Sequence, residues 1–150
     1  MIIKKMEELG YSYSPSSIQV GDLPFGSATR VGNLVFTSGQ IPIYNTTIIK
    51  GKVGNDVTLE QAIKAAEICA FNCVRAAGSI VHVNSIVRVV KILGLVNCAA
   101  DFNDTSSVIN GGSKFFNYVF ENTGLHARTA IGAVIPSNWA VEIEAIFEVQ

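Results

Sequence analysis

The C-terminal run WAVEIEAIFEVQ, from Trp139 to Gln150, constrains the fold more than any other stretch of the chain. Successive side chains of a β-strand point to opposite faces, so residues two apart share a face. Val141, Ile143, Ala145, Phe147 and Val149 thus line one side; Glu142, Glu144 and Glu148 line the other, with Ile146 among them. Such a strand needs a packed layer over its apolar side only. A second apolar run starts just after His126, and Pro136-Ser137-Asn138 between the two reads as a turn joining two strands. Arg128 opens the first run, which places an arginine one strand away from the glutamates of the second.

The rest of the chain supplies the other layers. Thr58 with Gln61 three residues on forms a capping box, and Gly78 stands where a helix stop belongs. Between them Ala62, Ala65, Ala66, Cys69, Cys73 and Ala76 make a helix face of small residues, suited to lying close against a sheet. A second helix is expected from about Thr105 to Asn122, anchored by Phe115, Phe116, Val119 and Phe120 and ended by Gly124. Gly111-Gly112 inside it implies close backbone approach or a later start, since each glycine costs about 1 kcal/mol in a helix. Ser85 to Val96, rich in β-branched residues, reads as a central strand. Ser27 to Val31 and Leu34 to Ser38 read as a hairpin turning on Gly32-Asn33, and Tyr44 to Lys52 as a loop or weak strand. Ile2, Met6 and Leu9 form one stripe of a short N-terminal helix, and Tyr11 to Leu23 reads as irregular but packed. The order β-β-(β)-α-β-α-β-β predicts an α+β fold, a mixed sheet with two helices packed on one face. One domain is expected, an arm over 1–23 and a core over 24–150.

Charge narrows the function. Only 15% of the 150 residues are charged and 49% are hydrophobic, against about 25% charged in an average soluble protein. Too little charge remains to cover a monomer, so part of the surface is expected to pack against copies of the chain. A net charge of -1 offers no footprint for nucleic acid or an anionic membrane. The most apolar stretch, Ile86 to Val96, is interrupted by Arg88 and Lys91 and is too short to span a bilayer. The N-terminus has no signal-peptide pattern, so a cytoplasmic location is expected. Three cysteines, Cys69, Cys73 and Cys98, are no disulfide framework. Cys69 and Cys73 share a helix face without a histidine near in sequence, which favours buried apolar residues over a metal pair.

Gly32 to Pro42 (GNLVFTSGQIP), the region of Asn110, His126 to Arg128 (HAR) and Val141 to Ala145 (VEIEA) together resemble the Rid family, the YjgF-like reactive intermediate deaminases. The resemblance runs from about Pro24 to the end. The longer arm, GKVGNDVTLEQA (Gly51 to Ala62) and VNCAADFNDTSSVINGGS (Val96 to Ser113) mark a divergent branch. It implies a chorismate-mutase-like fold and a homotrimer with a ligand cleft at each subunit interface. It further implies cofactor-free and metal-free hydrolysis of enamines and imines, such as 2-aminoacrylate, to 2-keto acids and ammonia.

Each matching residue has a plain reading beside the implied one. Arg128 matches the arginine whose planar fork would grip a substrate carboxylate; an interface salt bridge is the alternative. Glu142 matches the acid that would position water, although spacing alone does not separate it from Glu144 and Glu148. At Phe25 the deaminase branch carries a tyrosine, so the pocket wall is kept and a hydroxyl is lost; a core phenylalanine is the plain alternative. Ser38 and Gly39 would supply backbone to the cleft floor, or simply end a strand. Asn110 matches a cleft asparagine, or caps a helix. A binding protein for small carboxylates that has lost the chemistry is the competing function.

Overall fold

The computed structural model describes residues 1–16, 23–121 and 123–150. Part of the stretch expected to be irregular but packed, 17–22, and the expected helix end at Asn122 lie outside the described residues. The ordered elements are α1 (Ile2–Glu8), β1 (Ala28–Val31), β2 (Leu34–Thr37), β3 (Ile43–Tyr44), β4 (Thr47–Ile48), α2 (Leu59–Ala77), β5 (Ile86–Val96), α3 (Thr105–Val119), β6 (Ala127–Gly132) and β7 (Val141–Val149). Five strands form one mixed sheet in the order β1-β2-β7-β5-β6, and β3 and β4 make a small separate hairpin. The fold is α+β, as the order of elements predicts.

The alternation in β7 becomes burial. Val141, Ile143, Ala145, Phe147 and Val149 are each at most 2% exposed, beneath the helices. Full burial of a side chain such as Phe147 contributes about 1.5–3 kcal/mol. The capping box opens α2: Thr58 accepts from the Gln61 amide, and the Gln61 side chain accepts from the Thr58 amide. Its small-residue face lets α2 sit so close to β7 that the Cys69 and Cys73 thiols donate to the Val141 and Ile143 carbonyls. Burial raises both thiol pKa values, which keeps them inert apolar filler.

One detail differs from the expectation, and two bear it out with their cause. First, β6 and β7 are not neighbours: β5 lies between them, parallel to β6 and antiparallel to β7. Pro136-Ser137-Asn138 forms a turn, with Ser137 and Asn138 at positive φ, in a connection that passes over the end of β5, tied to the loop before α2 by Gly51 N–H donating to the Asn138 carbonyl. Second, Gly78 ends α2 with φ -64°, not in the left-handed region; a Cβ there would lie 2.0 Å from the Tyr13 hydroxyl, so a larger residue would displace the Tyr13 side chain. Third, α3 starts at Thr105 despite its glycines, with Asp104 as the cap that accepts from the Ser107 amide. Asn110 is therefore not a cap. A Cβ on Gly111 would meet the Ile63 carbonyl oxygen at 2.1 Å, which is the close approach between α2 and α3 that the glycine pair implied.

The hairpin of β1 and β2 turns with Gly32 at φ +58°, and the weak strand near Tyr44 is the β3–β4 hairpin. The N-terminal arm lies on the helices. Lys5 pairs with Glu121 at 2.9 Å, and the Tyr118 hydroxyl donates to Glu8. Tyr11 stacks on Phe71 at 4.6 Å between centroids and donates to Glu67. On its other side the sheet is open to solvent, with Phe36 37% and Ile131 48% exposed.

Candidate functional site

Arg128 sits on edge strand β6 opposite Ile92 of β5, and Ile92 points into the core. Arg128 therefore faces α3. Its Nη1 donates to Asn110 Oδ1 at 2.7 Å and to Ser113 Oγ at 3.1 Å, and its Nη2 donates to the Ser106 carbonyl at 3.2 Å. Ser106, Asn110 and Ser113 are spaced i, i+4, i+7, so one stripe of α3 presents all three oxygens. All three acceptors are neutral. Among the described residues no carboxylate of the same chain pairs with Arg128. Three of the five guanidinium N–H groups are thus held by α3; Nε–H and one Nη2–H make no hydrogen bond among the described residues.

His126 lies two residues before Arg128, and its Nε2 is 2.9 Å from Ser113 Oγ. Burial, then the Arg128 charge, lowers its pKa below the ordinary histidine value. Neither His126 nor Ser113 was singled out as a site residue by sequence, though the helical stripe through Asn110 and the strand period through Arg128 both point to them.

Glu142 lies on the other face of the sheet, opposite Leu95 of β5. Tertiary packing separates the three glutamates that spacing left equivalent. Glu148 is paired with Arg88 at 2.6 Å, and Glu144 is exposed. Glu142 is half-buried against the end of β2, with its pKa raised by burial and then by the Glu144 charge. A Cβ on Gly39 would lie 2.7 Å from both Cδ and Oε2 of Glu142, so the glycine makes room for this carboxylate. The neighbouring Gln40 bridges to Ile143 through both backbone hydrogen bonds. Ser38 ties the strand end down: its hydroxyl donates to the Gly26 carbonyl at 2.6 Å and its amide to the Ser27 carbonyl. Phe25, 58% exposed, precedes this junction and is not a core residue.

The expected site residues therefore fall into two groups on opposite faces of one sheet. Arg128 and Asn110 form a fixed cation. Glu142 lies on β7, the central strand, beside Gly39 in the segment that follows β2, with Ser38 and Phe25 near in sequence to that junction. Among the described residues no three His, Cys, Asp or Glu side chains gather as metal ligands, and no helix is long and apolar enough to cross a membrane.

A family model described as endoribonuclease L-PSP matches residues 19–149. The chain is 30% identical over 126 residues to the RutC family protein y4sK of Sinorhizobium fredii, covering 82% of this chain and 85% of that one. Among solved structures, the protein Atu1372 of unknown function from Agrobacterium tumefaciens is 34% identical, with TM-score 0.89 over 99% of this chain and 92% of that one. The YjgF gene product of E. coli is 26% identical, with TM-score 0.57 over 91% and 94%. Sequence match, coverage and fold agree: this chain belongs to the endoribonuclease L-PSP family, the YjgF/Rid family.

Proposed function

We propose that the chain is a hydrolase of enamines and imines that carry a carboxylate, working as a homotrimer whose clefts each take one group of site residues from either of two copies. Residues 24–150 would form the single Rid-like domain, with 1–23 as its arm, in the cytoplasm. The observation that carries the reading is Arg128: a guanidinium fixed by three neutral oxygens, with no carboxylate partner and two N–H groups unspent among the described residues. Such an uncompensated cation suits an anionic ligand. Because Glu142 lies on the opposite face, a cleft using both needs a second copy, and the open, partly apolar face of the sheet favours such an assembly.

In this mechanism Arg128 binds the substrate carboxylate, oriented by Asn110. An enamine first takes a proton on its β-carbon and gives one up from its nitrogen, becoming the imine. Glu142, as carboxylate, accepts a proton from water while the water oxygen bonds to the imine carbon and the C=N π pair moves to nitrogen. Glu142 returns that proton to the nitrogen, then carries the hydroxyl proton of the resulting carbinolamine to the same nitrogen, and the C–N bond breaks as the C=O bond forms and ammonia leaves. The raised pKa of Glu142 brings it nearer the working pH, which suits both transfers. Ser38 and Gly39 shape the floor and Phe25 an apolar wall.

The test is a coupled assay in which a pyridoxal-phosphate lyase generates 2-aminoacrylate. Keto-acid release accelerated by wild type but not by Arg128→Ala supports the reading; equal rates with both refute it. Sedimentation at micromolar concentration should give a trimer, and a monomer would remove the shared cleft. Phe25 favours one second reading. Without a tyrosine hydroxyl there, a trimer that binds small carboxylates and does no chemistry would bind pyruvate through Arg128 yet leave the imine rate unchanged. The ribonuclease name of the family draws no support from a net charge of -1.

A further inference from the structure

Arginine only donates hydrogen bonds, so Ser113 Oγ must be the acceptor in its 3.1 Å contact with Arg128. The single Ser113 hydroxyl hydrogen is then available to another acceptor, and His126 Nε2 stands 2.9 Å away. A neutral imidazole has one acceptor nitrogen; with the Ser113 hydrogen directed to it, that nitrogen is Nε2 and the ring hydrogen lies on Nδ1. Phe116 packs edge-on against the ring at 6.0 Å between centroids, limiting its rotation. Protonation of His126 would set a second cation beside Arg128 and aim a second donor at Ser113 Oγ. Arg128 is the charged group that bears on His126 from β6; from α3 Ser113 is within hydrogen-bond distance of the ring and Phe116 packs on it.

We propose that Ser113 and His126 are positioning residues for Arg128: neutral His126 accepts the Ser113 hydroxyl hydrogen at Nε2, which turns a Ser113 lone pair toward Arg128 and locks the guanidinium on α3. Locking leaves Nε–H and one Nη2–H directed away from the helix. The value of this arrangement for ligand binding rests on the Arg128 clamp proposed above; the arrangement itself does not.

Nitrogen-15 NMR of the full chain tests it without a ligand. There are two histidines, so His82→Gln assigns the signals. At neutral pH His126 is expected as the Nδ1–H tautomer, and the Arg128 Nη–H signals as separate, slowly rotating resonances. Ser113→Ala should move His126 to the Nε2–H tautomer and let the Arg128 signals coalesce, while Ser113→Thr keeps both. An Nε2–H or a cationic His126 in wild type overturns the proposal before any variant is made, so a variant that fails to fold does not protect it. Unchanged Arg128 rotation in folded Ser113→Ala overturns it as well. In a second arm pyruvate is titrated by calorimetry. Loss of the Ser113 bond should weaken its binding about tenfold, as for a hydrogen bond to a charged group, and Ser113→Thr should restore it. Equal pyruvate affinity in Ser113→Ala and wild type overturns the positioning role. If neither wild type nor Arg128→Ala binds pyruvate while the spectra are as expected, the lock stands and the clamp reading falls.

Discussion

Gly111→Ala tests the packing that brings the Arg128 anchor to the sheet. The new Cβ would stand 2.1 Å from the backbone oxygen of Ile63, where ordinary contact begins at 3.4 Å. That oxygen is held in the ladder of α2 and does not swing away as a side chain would. The two helices must part by more than about 1 Å. Adding a methyl to a packed interior typically costs about 1–3 kcal/mol, and a backbone collision belongs at the upper end. Alanine is better than glycine in a helix by about 1 kcal/mol, so a net loss of about 2 kcal/mol is expected. With a urea dependence of about 2 kcal/mol per molar, the midpoint should fall by about 1 M. Asn117→Ala, on the exposed side of the same helix, is the control and should stay within about 0.5 kcal/mol of wild type. Both variants are measured at one protein concentration, since assembly shifts the midpoint. An unchanged or raised midpoint for Gly111→Ala would refute the close α2–α3 approach.

Gly39→Ala meets the movable end of Glu142, so it should change stability by under about 1 kcal/mol yet displace the carboxylate. A displacement of about 1 Å typically costs about a hundredfold in rate, read as kcat in the lyase-coupled assay; an unchanged kcat would remove Glu142 from the reaction. The acid limb of the pH–rate profile should lie above the ordinary carboxylate range, because Glu142 must ionise, and Glu144→Gln should move it down by removing the second cause of the shift. The same raised pKa fixes a stability sign. The contribution of Glu142 is fully present below its unfolded pKa and is lost as pH rises through the folded one. Glu142→Gln should therefore be more stable than wild type at neutral pH, a gain that disappears in acid melts. Thr58→Ala removes the cap of α2 and should cost about 1 kcal/mol in urea unfolding.

Periodicity, caps and turns made most of the elements legible. The period-two pattern of β7, the Thr58–Gln61 box and the phenylalanine anchors of α3 act within one element, and local forces suffice to set them. The same locality explains where the chain order misled. Adjacent strands in sequence suggested a paired β6 and β7, yet β5 inserts between them because its two flanks, Ile86 to Val96, can pair with both. Ser113 and His126 carry no site signal of their own in the sequence, and only the packing of α3 on β6 joins them at Arg128.

The sequence by itself determined which faces are apolar, where the main helices begin, and which side chains carry charge or can bind a carboxylate. Those are properties of spacing and of single residues, and neighbours along the chain settle them. Only the tertiary structure decided that Arg128 is held by neutral oxygens, that Glu148 is paired while Glu142 is half-buried with a raised pKa, and that Arg128 and Glu142 face opposite ways. Each of these depends on what lies across a sheet or between a helix and a strand, at distances along the chain that no local pattern encodes.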